Sequence, residues 1–274
     1  MAENKIKILK FGSDPEFLLR DKNTKELISS IGIIPGTKEE PVKVPEMGKY
    51  FTVQIDNVLG EISVDPADNP EELWNNIQAG FDYIRNNHLP ENIEIFHASS
   101  GSYSDEQLDN DIARVFGCSP SFNAWTEEQN PAPDVDGGVN FRGCGAHIHL
   151  SYENPTVETN CLIGRVFDLF CTVPSILLDD DTERRKFYGK AGEIRNCSYG
   201  VELRTLGGFL LSDKAMYDFM MNNLLEAIKF INDGKVIDDR LAVGIQMAID
   251  TQSKEVAQKV IDFAGVPMIT TVVN

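Results

Sequence analysis

The chain has 274 residues, 42% hydrophobic and 9% aromatic, which is ordinary for a globular protein and enough for a sizeable core. Its 43 acidic against 25 basic residues give a formal charge of −18. That balance argues against broad nucleic-acid binding and against binding to an anionic membrane surface, because both need clustered Lys and Arg.

Alternation and turn residues predict strands over Lys5–Arg20 and Glu26–Ile34, separated by the turn-like Asp21–Thr24 and so forming a hairpin. Two more are expected at Tyr50–Asn57 and Gly60–Asp65. The period then changes: Asp68 or Asn69 can cap a helix with Pro70 at its first position, and Leu73, Trp74, Ile77, Phe81 and Ile84 recur at helical spacing until about Leu89. Asn92–Ser99 reads as strand, and Tyr103–Gly138 as a long loop that helps choose the substrate. A strand over Gly143–Ser151, a helix over Val157–Leu178 interrupted or ended by Pro174, and a strand over Ser198–Leu206 follow. The last quarter predicts helices over Asp213–Asn232, Asp238–Ile249 and Lys254–Phe263.

No stretch reads as a linker, so one domain over residues 1–274 is expected, sheet-rich to about 210 and helical over 211–274. Strands and helices do not alternate in βαβ units, which predicts an α+β fold with a curved, mostly antiparallel sheet and helices on its outer face. The amino terminus lacks the apolar segment of a secretory signal, and no run reads as a membrane span of about 18 apolar residues. Five cysteines without CxxC spacing fit a reduced protein. A cytoplasmic location is therefore expected.

The chemistry concentrates on polar strand faces. In GCGAHIHLS, His147 and His149 stand two apart, so both imidazoles leave a strand on one side, while Ala146, Ile148 and Leu150 face the other. FGSDPEFLL does the same with Asp14 and Glu16, LGEISVDP with Glu61, Ser63 and Asp65, and YGVELRTL with Glu202 and Arg204. Taken singly, the Asp14–Pro15–Glu16 segment also fits an edge strand or turn, and Glu202 with Arg204 a solvated face. If the faces converge, Asp14, Glu16, Glu61 and Glu202 bring four negative charges against one arginine. Like charges 4 Å apart repel by about 4 kcal/mol at an effective dielectric near 20. Carboxylates with an occasional imidazole suit Mg²⁺ or Mn²⁺.

In their order along the chain, GSDPEF, LGEISVDP, GCGAHIHLS and VELR resemble the carboxylate-amine ligase superfamily that includes glutamine synthetase and the glutamate-cysteine ligases. FGCSPSFNAWTEEQN further resembles its compact, phage-type amidoligases, and the likeness runs from residue 12 to about 206. The resemblance implies a glutamine-synthetase-like catalytic domain, and ATP-dependent amide or peptide bond formation through an acyl phosphate with Mg²⁺ or Mn²⁺. It implies Asp14, Glu16, Glu61, His147 and Glu202 as the metal set, with His149 facing the nucleotide phosphates. Arg204 would contact the transferring phosphoryl group, so that Arg204 and Glu61 carry catalysis. The glutamine synthetases have an arginine two residues before their late glutamate, where Gly200 stands here. Arg195, Arg142 or Arg185 is the alternative source of that charge. An amino acid, an amine or a peptide end would be the substrate, homo-oligomers occur among related ligases, and a phage source would place the protein in host cytoplasm. Two other readings stay open: a cupin-like enzyme with one metal on an HxH strand, and an inactive relative that binds nucleotide or a partner.

Overall fold

The computed structural model describes residues 5–114, 121–131 and 140–269. The first strands are β1 (Ile8–Ser13), β2 (Glu16–Asp21), β3 (Leu27–Ile28), β4 (Val42–Lys43), β5 (Thr52–Asp56) and β6 (Leu59–Ser63), followed by helix α1 (Pro70–Asn87). Next come β7 (Ile93–Phe96), β8 (Ser100–Ser102), β9 (Phe122–Asn123), β10 (Glu128–Gln129), β11 (Phe141–Gly143) and β12 (Ile148–Tyr152). Helices α2 (Val157–Phe167) and α3 (Val173–Leu178) precede β13 (Glu193–Cys197) and β14 (Gly200–Leu203), and α4 (Lys214–Asn232), α5 (Asp239–Asp250) and α6 (Lys254–Ala264) complete the fold.

Two larger sheets carry the architecture. One has the order β1-β12-β14-β13-β9-β10, the other β3-β2-β6-β5-β4 with β7 also paired to β2, and β8 pairs with β11. Every pairing among the described strands is antiparallel, as an α+β fold requires.

The expected single strand over Lys5–Arg20 is corrected: it breaks at Asp14 and Pro15. Pro15 has no N–H for a ladder and biases the residue before it to extended backbone. The chain therefore leaves the first sheet after Ser13 and enters the second at Glu16, whose N–H bonds Gly145 O at 3.0 Å. The hairpin survives in shortened form, β2 against β3, with Leu19 opposite Ile28.

Helices cover one face of each sheet. Helix α1, capped by Asn69 with Pro70 at its start, buries Leu73, Ile77, Phe81 and Ile84. Phe81 meets Phe17 of β2 edge-on at 5.7 Å. On the first sheet, Ile148, Leu150, Val201, Leu203 and Ile194 are buried in the same core as Cys161, Val166 and Phe167 of α2. Each such burial contributes about 1.5–3 kcal/mol. The opposite faces keep the polar residues.

The helical run expected over Val157–Leu178 forms, and it corrects a different expectation, that no run reads as a membrane span. This continuous helical run is long and apolar enough to cross a membrane by length and composition, but most of it is buried inside the protein, where an apolar helix is core. A π turn over Asp168–Thr172 precedes Pro174. The wider turn takes up the hydrogen bond and the space that proline denies a regular helix. The expected long loop also changes, because Phe122–Gln129 forms the hairpin β9–β10 and β9 pairs with β13. Residues 115–120 and 132–139 of that loop, with Cys118 and part of FGCSPSFNAWTEEQN, lie outside the described residues. The other four cysteines are free thiols.

Candidate active site

Two cross-strand rows face one cleft. Arg195 of β13, Glu202 of β14, His149 of β12 and Gly12 of β1 stand directly opposite one another across the first sheet. Glu16 of β2, Glu61 of β6 and Gln54 of β5 do the same across the second. Asp14 lies at the corner between them. Alternation along each strand put these residues on one side, and the break at Pro15 turned the two sides toward each other.

The two histidines meet at Asp14. His147 sits just before β12 rather than within it, because the chain between Gly143 and Ile148 is not regular strand. Its Nδ1 lies 3.3 Å from Asp14 Oδ1 and 3.5 Å from Glu202 Oε1. The ring folds back over Gly145, where a Cβ would stand 2.5 Å from His147 Nε2. No larger residue fits there without moving the imidazole. Gly145 also donates its N–H to Glu16 Oε2 at 2.6 Å, tying the histidine segment to the second sheet. His149 Nε2 lies 2.9 Å from the same Asp14 oxygen, and its Nδ1 lies 2.6 Å from the Tyr199 hydroxyl.

One ligand atom each from Asp14, His147 and Glu202 lie within 4.8 Å of one another. Two ligands on opposite sides of a Mg²⁺ ion are about 4.2 Å apart, so sub-ångström adjustments suffice for a shared cation. A second carboxylate group lies beside it. Burial, joined by the charges of Asp14, Glu16 and Asp56, pushes the Glu61 carboxyl well above its ordinary range against the amide of Gln54. Burial also raises Glu16, with Asp56 adding to it and His147, Gly145 and Arg204 opposing. Among the described residues neither has an ion-pair partner. Oxygen donors with uncompensated charge fit a hard divalent cation. The cupin-like alternative gains nothing, since only one imidazole of the HxH pair belongs to the ligand group.

Asp14 and Glu202 are shifted the other way. Burial alone would raise Asp14, but the hydrogen bonds and charges of His147 and His149 hold it well below the carboxylate range. Glu202, 1% exposed, is kept low despite burial by His147 and Arg204. It accepts from Arg195 Nη1 at 2.6 Å through Oε2 and from Arg204 Nη1 through Oε1. Arg195 thus sets a positive charge against Glu202 from the facing strand. Gly200 leaves no room for a side chain: its φ is +152°, and a Cβ there would stand 2.0 Å from Leu150 O.

The cleft is partly open to solvent and is lined by Asp14, Glu16, Glu61, His147, Arg195 and Arg204 among others. Arg142 lines it too, its guanidinium donating to the carbonyls of Phe141 and Ala113 and to Asn57. Arg185 does not. It is buried against α3, donating to Ser175 Oγ at 2.8 Å, and Arg184 takes the place at the wall. Arg184 is fixed by the carbonyls of Thr205 and Arg204, each at 3.0 Å. Lys38, Asp56, Tyr188 and Glu193 also line the cleft and Tyr199 holds His149, none of them picked out by motif. Asp56 had one signal: it ends a strand whose Gln54 shares its face.

Residues 130–231 match the family described as phage phiEco32-like COOH.NH2 ligase-type 2, which supports a carboxylate-amine ligase family for this chain. The match takes in His147, His149, Arg195, Glu202 and Arg204 and leaves Asp14, Glu16 and Glu61 outside it. No curated protein and no solved structure matches the chain.

Proposed function

We propose that the protein is an ATP-dependent carboxylate-amine ligase that forms an amide or peptide bond through an acyl phosphate. The supporting observation is the junction of the two sheets, where Asp14, Glu16, Glu61 and His147 line a cleft that also holds arginines, with Glu202 buried behind them. Asp14, His147 and Glu202 would hold one Mg²⁺ or Mn²⁺ ion, and Glu16 with Glu61 a second. Such ions neutralise polyphosphate charge and polarise phosphoryl oxygens.

The chain's own groups do the rest. A carboxylate is a poor electrophile, so a substrate carboxylate oxygen attacks the γ-phosphorus of ATP, and ADP leaves. The amine nitrogen then attacks the acyl carbon, the P–O-bearing phosphate departs, and the ammonium proton is lost. Charge spreads over the transferring phosphoryl oxygens, and fixed cationic donors facing them lower the barrier. Arg204 fits that task. It is clamped by Glu202 on one side, lies 3.9 Å from Glu193 through Nε on the other, and lines the cleft. Arg195, Arg142 and Arg184 add positive charge along the same wall.

The test is ADP release across panels of amino acids, amines and peptides with Mg²⁺ or Mn²⁺. ADP that forms only when ATP, a carboxylate and an amine are all present supports the proposal. Nucleotide binding without turnover on any panel identifies an inactive relative instead.

A further inference from the structure

Both ring nitrogens of His149 are engaged by side chains, and the imidazole itself is not among the groups that line the cleft. Nε2 lies 2.9 Å from Asp14 Oδ1 and Nδ1 lies 2.6 Å from the Tyr199 hydroxyl, with the two rings stacked at 30° and 6.1 Å between centroids. An ionised carboxylate only accepts, so Nε2 carries a proton and donates it to Asp14. Its Nδ1 is held by the Tyr199 hydroxyl, so the two contacts together fix the plane of the ring.

Tyr199 is well placed to fix this ring orientation. Ser198 and Tyr199 form the two-residue turn between β13 and β14, whose flanking residues Cys197 and Gly200 are directly paired. The Tyr199 carbonyl accepts from Tyr152 N at 3.2 Å, so the turn is tied to the end of β12. The hydroxyl is delivered to His149 from backbone that does not depend on Asp14. Asp14 itself sits at a corner between sheets, where no strand neighbour sets its rotamer, and its recorded partners are the two imidazoles.

From this chain of contacts we infer that Tyr199 is a positioning residue for the metal group, acting through the orientation of the His149 ring to hold Asp14 Oδ1 beside His147 and Glu202. Without the hydroxyl, the ring loses the contact that sets its plane, and Asp14 leaves the ligand geometry in part of the population. Outer hydrogen bonds of this kind are typically worth 10–100-fold in metal affinity. The inference rests on the metal reading above.

Mn²⁺ titration followed by electron paramagnetic resonance tests it, on the wild-type protein, Tyr199→Phe, His149→Gln and the double variant. Tyr199→Phe keeps the stacked ring and should weaken Mn²⁺ binding roughly 10–100-fold. In the His149→Gln background, where no ring links the hydroxyl to Asp14, the same substitution should cause no further loss. Unchanged affinity in Tyr199→Phe overturns the inference, as does an equal loss with and without His149. Failure of the metal reading looks different: wild-type protein takes up no Mn²⁺, or Asp14→Asn binds it as well as wild type, and the inference then falls with that reading.

Discussion

Glu16 and Glu61 stand directly opposite one another on β2 and β6 with no basic side chain paired to either among the described residues. A like-charged cross-strand pair destabilises a sheet. Its persistence in a cleft wall makes sense where a cation is bound. Because burial and neighbouring acids raise Glu61, its cost is absent below about pH 4 and grows as pH rises toward the folded value. Glu61→Gln should therefore melt a few degrees higher than wild type at pH 8 without metal, as about 1 kcal/mol moves Tm by about 2–4 °C in a chain of this size. The two should converge near pH 4. Added Mn²⁺ should raise the wild-type Tm far more than the variant's. Thermal melts at both pH values, with and without Mn²⁺, check this.

Glu202 is almost fully buried between Arg195 and Arg204. Removing one partner of a buried ion pair leaves an uncompensated charge and costs about 3–5 kcal/mol. Arg204→Ala should lose roughly that much stability and all ligase activity. Arg204→Lys should regain part of the stability and little of the rate, since an ammonium cannot bond Glu202 and face a phosphoryl group in the same plane. Urea unfolding and ADP release measure the two effects separately.

Gly200 carries a prediction about the arginine that the resemblance to the glutamine synthetases would place there. Its left-handed φ and the nearby Leu150 carbonyl make any side chain costly. Gly200→Arg should express poorly or melt many degrees below wild type, and Arg195→Ala should not be rescued by it. Activity of the double variant against Arg195→Ala alone decides the point.

Asp168 should set a slope in the stability–pH curve. Burial drives its carboxyl up to about 7 despite bonds from Trp125, Thr172 and Gly192. An acid raised on folding contributes stability that is intact below the unfolded value near 4 and is lost as pH rises to about 7. Asp168→Asn should match wild type near pH 4 and exceed it by a few degrees at pH 8. A constant offset across that range would assign the slope to other groups.

Much of this was legible in the chain itself. Capping residues and helical stripes located α1 and α4–α6 to within a few residues, and period-2 alternation put Glu61, His149 and Glu202 on polar faces. The corner at Asp14 was not legible, because Pro15 signals a break without saying which sheet receives the next strand. Strand β13 escaped because Glu193–Cys197 alternates weakly and gains its place only by pairing with β14 and β9. Arg184 and Arg185 are indistinguishable as sequence neighbours; packing against α3 turned one to the core and left the other at the cleft. Tyr199 belongs to a turn, and its role depends on a residue fifty positions away.

The fate of the substrate's carboxylate oxygens decides whether the cleft performs the proposed chemistry. With the carboxylate found by the ADP panel labelled with ¹⁸O, one labelled oxygen should pass into inorganic phosphate for each amide bond formed, and ADP should be the nucleotide product. Unlabelled phosphate, or label appearing in AMP with release of pyrophosphate, would show that no acyl phosphate forms between Asp14, His147, Glu202 and Arg204.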